Sequence, residues 1–285
     1  MWLASVPARL AHLSDWWSLQ IGKTNISDAS CIAYAQGAEH GAVVVKLVVD
    51  QASFAAELAA LDAFAGNATV RLLSSSPDDQ ALLLERIMPG QALSTLVNHS
   101  ADETATSIAA DVVLTMHTAV SHSARPTDLQ DIGIEGLDAI QTYRAVHQGS
   151  LQPIPANRVA HGEGILRELH DSQDHAIVLH GDLHHDNILR GGRRPWLAID
   201  PKGRSGDPAS ELAAFIRNPI SELGRVPNLR AFLARRIDQL VEHLGYDRPR
   251  VHGWAMGLAV VAACWQLEDR EAGWEGWLHV ADALD

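Results

Sequence analysis

Cysteine is nearly absent: the 285-residue chain has two, Cys31 and Cys264, and no C-x-x-C pair. That spacing supports neither a disulfide framework nor a zinc knuckle. Positive charge is also scarce, with 22 Lys and Arg against 35 Asp and Glu and a formal net charge of -13. Nucleic acid and anionic membranes both call for clustered cations, so neither is an expected partner. The acidity suits a cationic substrate and serves solubility equally well. Long apolar runs are missing too. The longest near the C-terminus, "AMGLAVVAACW", is too short to cross a bilayer. The opening "MWLASVPARLAHLSDWW" lacks a basic segment followed by an apolar core, so no signal peptide is expected and a cytoplasmic location is the default. There is no internal repeat and no low-complexity stretch. What remains, 47% hydrophobic and 20% charged, is the composition of a soluble globular protein long enough for one or two domains.

The hydrophobic pattern divides the chain. Residues 41–50, "GAVVVKLVVD", form a continuous β-branched run, the pattern of a strand covered on both faces. "SFAAELAALDAF" follows with Phe54, Leu58 and Leu61 at helical spacing. A turn at "SSSPDD" (74–79) leads into the strand "QALLLERIMPG", which stops at Pro89-Gly90. The first ninety residues thus read mostly as strands with one helix. Beyond them, Ser100-x-x-Glu103 is a capping box opening a helix to about Val120, and further helices are expected near 134–147, 157–172, 227–244, 250–268 and 272–283. The expected fold class is α+β, with a β-rich lobe over 1–88 and a mainly helical lobe over 89–285.

The exception in the second half is "VLHGDLHHDNILRGGRRPWLAID", residues 178–200. Ile188 and Leu189, a turn at Gly191-Gly192 and the run Trp196 to Ile199 predict a tight hairpin. Its two ends carry Asn187 and Asp200, so an amide oxygen and a carboxylate should face one point, a hard-oxygen pair suited to Mg²⁺. Asp182 lies five residues before Asn187, on the loop entering the hairpin, where it can take the proton of a bound hydroxyl. His180, Asp182, Leu183 and Asn187 match the kinase catalytic loop H-x-D-L-x-x-x-N position by position, and a metal-binding Asp follows. A zinc reading of His180, His184 and His185 fails, because Gly181 stands where H-E-x-x-H needs its Glu.

Phosphoryl transfer also needs a cation on the nucleotide phosphates. Lys46 lies inside the apolar run "AVVVKLVV", where a charge is expensive unless paired, and Glu57 on the next helix is its candidate partner. "LLLERIMPG" leads into the hinge between lobes, where the backbone of Glu85 and Ile87 can meet an adenine edge. "IGKT" at 21–24 is not a Walker A loop, since Trp17 occupies the position of the first glycine, and no G-x-G-x-x-G loop exists. "GKTNISDAS" (22–30) sits where a phosphate-covering segment belongs, with Asn25 and Ser27 as candidate contacts.

"HGDLHHDNIL", "WLAIDPKG" and "GDPASELAAFIRNP" together resemble the aminoglycoside/hydroxyurea phosphotransferase family, and most nearly its streptomycin 6-phosphotransferase branch. The resemblance implies a two-lobed, protein-kinase-like fold, Mg-ATP as cofactor and a small-molecule hydroxyl as acceptor. It implies that Asp182 is the catalytic base, that Asn187 and Asp200 hold Mg²⁺, and that Lys46, positioned by Glu57, contacts the phosphates. Asp200 lies in "IDPKG" rather than D-F-G, as in that family, and no activation-loop signature follows, which argues against a protein substrate. One departure is "ASELA", where relatives often carry an aromatic-Asp pair; whether Glu211 takes over that structural role is for the structure to decide.

A polycationic acceptor such as streptomycin calls for carboxylates. Asp207, Glu211, Glu268 and Asp269 are the candidates, with Glu271 and Glu275 and the interleaved Trp265, Trp274 and Trp277 as a possible cation-binding wall. Two alternatives share parts of this pattern. A metabolic kinase for choline, homoserine or a sugar would carry the same motifs. A degenerate nucleotide-binding regulator should have lost Lys46, Asp182 or Asp200, and all three are present.

Overall fold

The computed structural model describes residues 2–96, 101–120, 128–147, 153–269 and 272–285. The N-terminal lobe comprises helix α1 (Trp2–Trp16), strands β1 (Leu19–Ile26), β2 (Ser30–Gly37) and β3 (Gly41–Val48), helix α2 (Gln51–Phe64), and strands β4 (Leu72–Ser76) and β5 (Ala81–Glu85). The five strands form one antiparallel sheet in the order β1-β2-β3-β5-β4.

The run in β3 is apolar apart from Lys46 because both sheet faces are covered. Val43, Val45 and Leu47 pack toward Val6, Leu10 and Leu13 of α1; Val44 and Val48 pack with Phe54 and Leu61 of α2. Lys46 points to the α2 side, in register with Ile32 and Leu82. α2 starts at an N-cap, Asp50, whose carboxylate accepts from Ser53 N (2.8 Å).

Two features depart from the sequence reading. α1 is a second helix in this lobe. Its apolar positions Val6, Leu10 and Leu13 have helical spacing, but Pro7 inside the helix disguises the period. Ser74–Ser76, read as part of a turn, belong to β4; this edge strand tolerates the half-exposed Ser74 and Ser75. Ser76 is buried with its hydroxyl donating to Asp79 (2.8 Å), and the turn narrows to the residues before Ala81.

The second lobe is helical: α3 (Asp102–Val120), α4 (Ile132–Val146), α5 (Ala156–Asp171), the short α6 (Leu212–Ile216) and α7 (Ile220–Leu223), α8 (Leu229–Leu244), α9 (Arg248–Glu268) and α10 (Trp274–Leu284). α9 is the axle of the core, buried at thirteen positions from Val251 to Cys264, so its apolar run serves packing. Among the described residues no helix is long and apolar enough to cross a membrane. α3 begins at Asp102; the expected cap Ser100 lies outside the described residues. Two small antiparallel pairs interrupt the helices. β6 (Ile177–Leu179) pairs with β9 (Arg204–Gly206), and β7 (Ile188–Arg190) with β8 (Trp196–Ala198). The second is the expected hairpin, with Ile188 opposite Ala198.

That hairpin lies against the first lobe. Val70 N donates to Ala198 O (2.8 Å) and Ala198 N to Ala68 O (2.7 Å). The elements bearing Asn187 and Asp200 are therefore bonded directly to the lobe bearing Lys46.

Candidate active site

The loop after β6 is braced from beneath. His180 is fully buried; its Nε2 donates to Ile199 O (2.8 Å) and its Nδ1 accepts from the Asp182 amide (3.3 Å). These contacts assign a neutral ring with the proton on Nε2. Burial pushes its pKa down, against the pull of Glu211 and Asp182. His180 is thus a strut. Gly181 adopts φ +81°, and a Cβ there would meet Arg204 Cγ at 2.8 Å, so the loop needs glycine at this point. Leu183 anchors the loop in the core, and Asp186 N donates to His184 Nδ1 (3.2 Å). Asn187 Nδ2 donates to Asp182 O (2.9 Å), which spends the amide nitrogen on the loop and leaves its oxygen for a ligand.

Glu211 holds this loop in place. Its carboxylate accepts from His180 N (2.6 Å) and Gly181 N (3.0 Å), with His117 Nε2 at 3.6 Å. Burial alone would raise its pKa, but His117, His180 and the loop amides more than offset that and hold it ionised. It therefore performs the structural task left open by the departure at "ASELA", and its carboxylate is occupied rather than offered to a substrate.

Across the cleft Lys46 Nζ donates to both oxygens of Glu57 (2.7 and 2.6 Å) and to Asp200 Oδ1. Lys202 Nζ reaches Asp200 Oδ2 at 2.9 Å. Burial disfavours the charge on Lys46, yet the two carboxylates outweigh it and keep the ammonium protonated. Burial likewise opposes ionisation of Asp200, but Lys46 and Lys202 bring its carboxyl down to about 2. Lys46, Glu57, Glu85, Ile87, Asn187 and Asp200 all line one cleft of about 430 Å³. The Glu85 side chain itself is engaged by Arg193 and by Arg71 N, so what it can offer a nucleotide is backbone. Asp182 lines a second cavity of about 520 Å³. Gly181, Asp182 and His184 border this cavity and Asn187 borders the cleft, so one loop contributes to both.

The donor set fits a divalent metal. A fully ionised carboxylate and an amide oxygen are hard ligands, and Mg²⁺ characteristically takes few ligands from protein and the rest from phosphate and water. Among the described residues no group of three His, Cys, Asp or Glu is placed to cage a metal alone. The three histidines of the rejected zinc reading are separated in role: His180 braces Ile199, His184 caps a turn, and His185 stacks on Phe215 at 4.0 Å.

Residues 16–270 match the model of the aminoglycoside/hydroxyurea antibiotic resistance kinases. The chain belongs to that family. It is 30% identical over 273 residues to a streptomycin 6-kinase of Streptomyces glaucescens, covering 95% of this chain and 86% of that one. It is 32% identical to a hydroxyurea phosphotransferase of Kitasatospora aureofaciens, covering 93% and 74%. In structure it superimposes on a choline kinase of Streptococcus pneumoniae with a TM-score of 0.69 at 14% identity, over 99% of both chains. The protein-kinase-like two-lobed fold and the small-molecule phosphotransferase class follow.

The acceptor side of this kinase only partly matches the expected carboxylates. Asp269, Trp265 and Trp277 line the Asp182 cavity. Asp207 does not: it caps the turn before α6 through Ala209 N (2.9 Å), is ion-paired with Arg250 and accepts from Trp254 Nε1 (3.0 Å). Glu268 does not line the cavity; it is half-buried, and burial and Asp269 raise its pKa. Glu275 is exposed outside it, Trp274 packs on the core, and Glu271 lies outside the described residues. Ser27 closes the β1–β2 turn, its hydroxyl accepting from Ser30 N (3.1 Å).

Sequence reasoning missed Lys202, Arg193 and Arg217. Arg217 had a visible signal: a cation at the end of the apolar run "LAAFI", the same anomaly that singled out Lys46.

Proposed function

We propose that the kinase uses ATP and Mg²⁺ to phosphorylate a hydroxyl of an aminoglycoside, with streptomycin as the leading acceptor. The observation that carries this reading is the gathering of Lys46, Asn187 and Asp200 in one cleft, with Asp182 on the same loop as Asn187 and lining a second cavity. In this reading the adenine lies along the backbone at Glu85 and Ile87, and Lys46, held by Glu57, receives the phosphates. Asn187 and Asp200 hold Mg²⁺, which spreads the charge of the transferring group. Asp182 orients the acceptor hydroxyl and takes its proton; the protein otherwise positions and neutralises. A guanidinium-bearing acceptor suits the Asp182 cavity, where Trp265 and Trp277 offer faces and Asp269 a carboxylate. The need for ATP fits a cytoplasmic location.

The test is ATP consumption with Mg²⁺ across streptomycin, other aminoglycosides, hydroxyurea, choline and homoserine. Streptomycin-dependent ADP release is the expected result. Turnover with choline or homoserine alone would replace the acceptor, and no turnover with any hydroxyl would defeat the reading.

A further inference from the structure

Among the described residues two arginines are buried in the second lobe, Arg217 and Arg236, and they differ in how far they are satisfied. Arg236 bonds Asp102 and the carbonyls of Phe215 (3.1 Å), Ile216 (2.8 Å) and Asn218 (2.6 Å). Those carbonyls flank Arg217, so Arg236 fixes the backbone that presents it. Arg217 is only 8% exposed, and its Nε and Nη1 have no hydrogen-bond partner. It lines the Asp182 cavity, and Asp182 is the one charge among the described residues that favours its protonated form against burial. The other two cations in that wall are spoken for: Lys202 by Asp200 and Arg204 by Glu135.

A buried guanidinium with two unpartnered nitrogens is costly, and its persistence calls for an anion that arrives during function. A cationic or neutral acceptor brings none. The group that crosses from the nucleotide cleft toward Asp182 is the γ-phosphoryl. We propose that Arg217 is a catalytic residue whose guanidinium receives the non-bridging oxygens of that phosphoryl as it passes to the acceptor. The inference rests on the phosphotransfer reading above. In the step, the acceptor oxygen bonds to the γ-phosphorus and the bond from phosphorus to the β,γ-bridging oxygen breaks. The hydroxyl proton goes to Asp182, and ADP leaves with the bond's electron pair. Arg217 exchanges nothing; it stabilises charge in a preorganised, dehydrated setting.

The test uses the full-length protein with Arg217→Met, which removes the charge and keeps much of the volume. The expected result is a loss of about 10²–10³-fold in kcat with streptomycin, with KM for ATP and ADP affinity within threefold. The melting temperature should be equal to or higher than the wild type's, because an unpaired buried charge has gone. Affinity for ADP with aluminium fluoride, Mg²⁺ and acceptor should fall in parallel with kcat, and added guanidinium should restore turnover to Arg217→Ala. If Arg217→Met keeps kcat within threefold, or loses kcat together with ADP affinity and melting temperature, the inference is overturned and Arg217 is scaffolding. Absence of turnover in the wild type would remove the phosphotransfer reading and this inference with it; an active wild type beside an unimpaired variant removes the inference alone.

Discussion

Asp182 and Asp200 are carboxylates on the two ends of one structural unit, and their surroundings divide the labour. Asp200 sits between Lys46 and Lys202, which hold it ionised down to about pH 2 despite its burial. Its folded pKa is depressed, so the stability it contributes is complete above the ordinary aspartate value near 4 and fades as pH falls toward 2. A carbon NMR titration of the nucleotide-free protein should place the Asp200 midpoint near 2, and Lys46→Met should move it upward. An unmoved midpoint would mean that Lys46 does not set the charge. Asp182 has no lysine on it; its closest basic neighbour is His184 Nε2 at 3.8 Å. Asp182→Ala should lower turnover by about 10²–10⁴-fold, the usual worth of a general base, and leave nucleotide affinity within about threefold. Isothermal titration beside steady-state kinetics checks both halves.

Among elements, the loop at residues 180–187 depends on a side chain from outside it. Glu211, at the turn before α6, accepts two loop amides, and α3 backs it with His117, whose Nδ1 lies 2.6 Å from Tyr246 Oη. Glu211→Gln forfeits a buried carboxylate and turns an amide N–H toward another donor. The expected cost is about 2–4 kcal/mol in urea unfolding, with a fall in kcat that exceeds the change in nucleotide affinity. A variant of wild-type stability would contradict this role. The hairpin and the strand-borne Lys46 were legible in the sequence, because a short glycine-bearing connection fixes both ends of a hairpin and a charge in a β-branched run declares itself. Glu211's task was not, since a carboxylate bound to backbone amides 30 and 31 residues away leaves no periodic trace. α1 escaped for a local reason, Pro7, and Asp207 misled because an acidic residue beside a motif looks available until Arg250 and Trp254 are seen to occupy it.

At the scale of the molecule, the two lobes meet through a staple as well as through the hairpin. Arg193, from the β7–β8 turn, donates to Gly66 O (2.9 Å), Thr69 O (2.8 Å) and Glu85 Oε1 (2.6 Å), all in the first lobe. Gly203, just past Asp200, presses on α2 so closely that a Cβ would lie 2.1 Å from Ala56 O. These contacts set the spacing between Lys46 and the Asn187–Asp200 pair. Arg193→Ala should weaken nucleotide binding several-fold and cost about 1–3 kcal/mol through the carbonyls and carboxylate left behind, measured by thermal shift with and without nucleotide. The long-range meeting of lobes was implied by the motifs only through likeness to kinases; residue chemistry alone does not fold two stretches 150 residues apart onto each other. The most direct measurement is a crystal structure with Mg²⁺ and a non-hydrolysable ATP analogue. The account predicts the metal on Asn187 and Asp200, Lys46 on the phosphates, and the γ-phosphate turned toward Asp182 and Arg217. A triphosphate bound outside the Lys46 cleft, or a γ-phosphate directed away from Asp182, would contradict it.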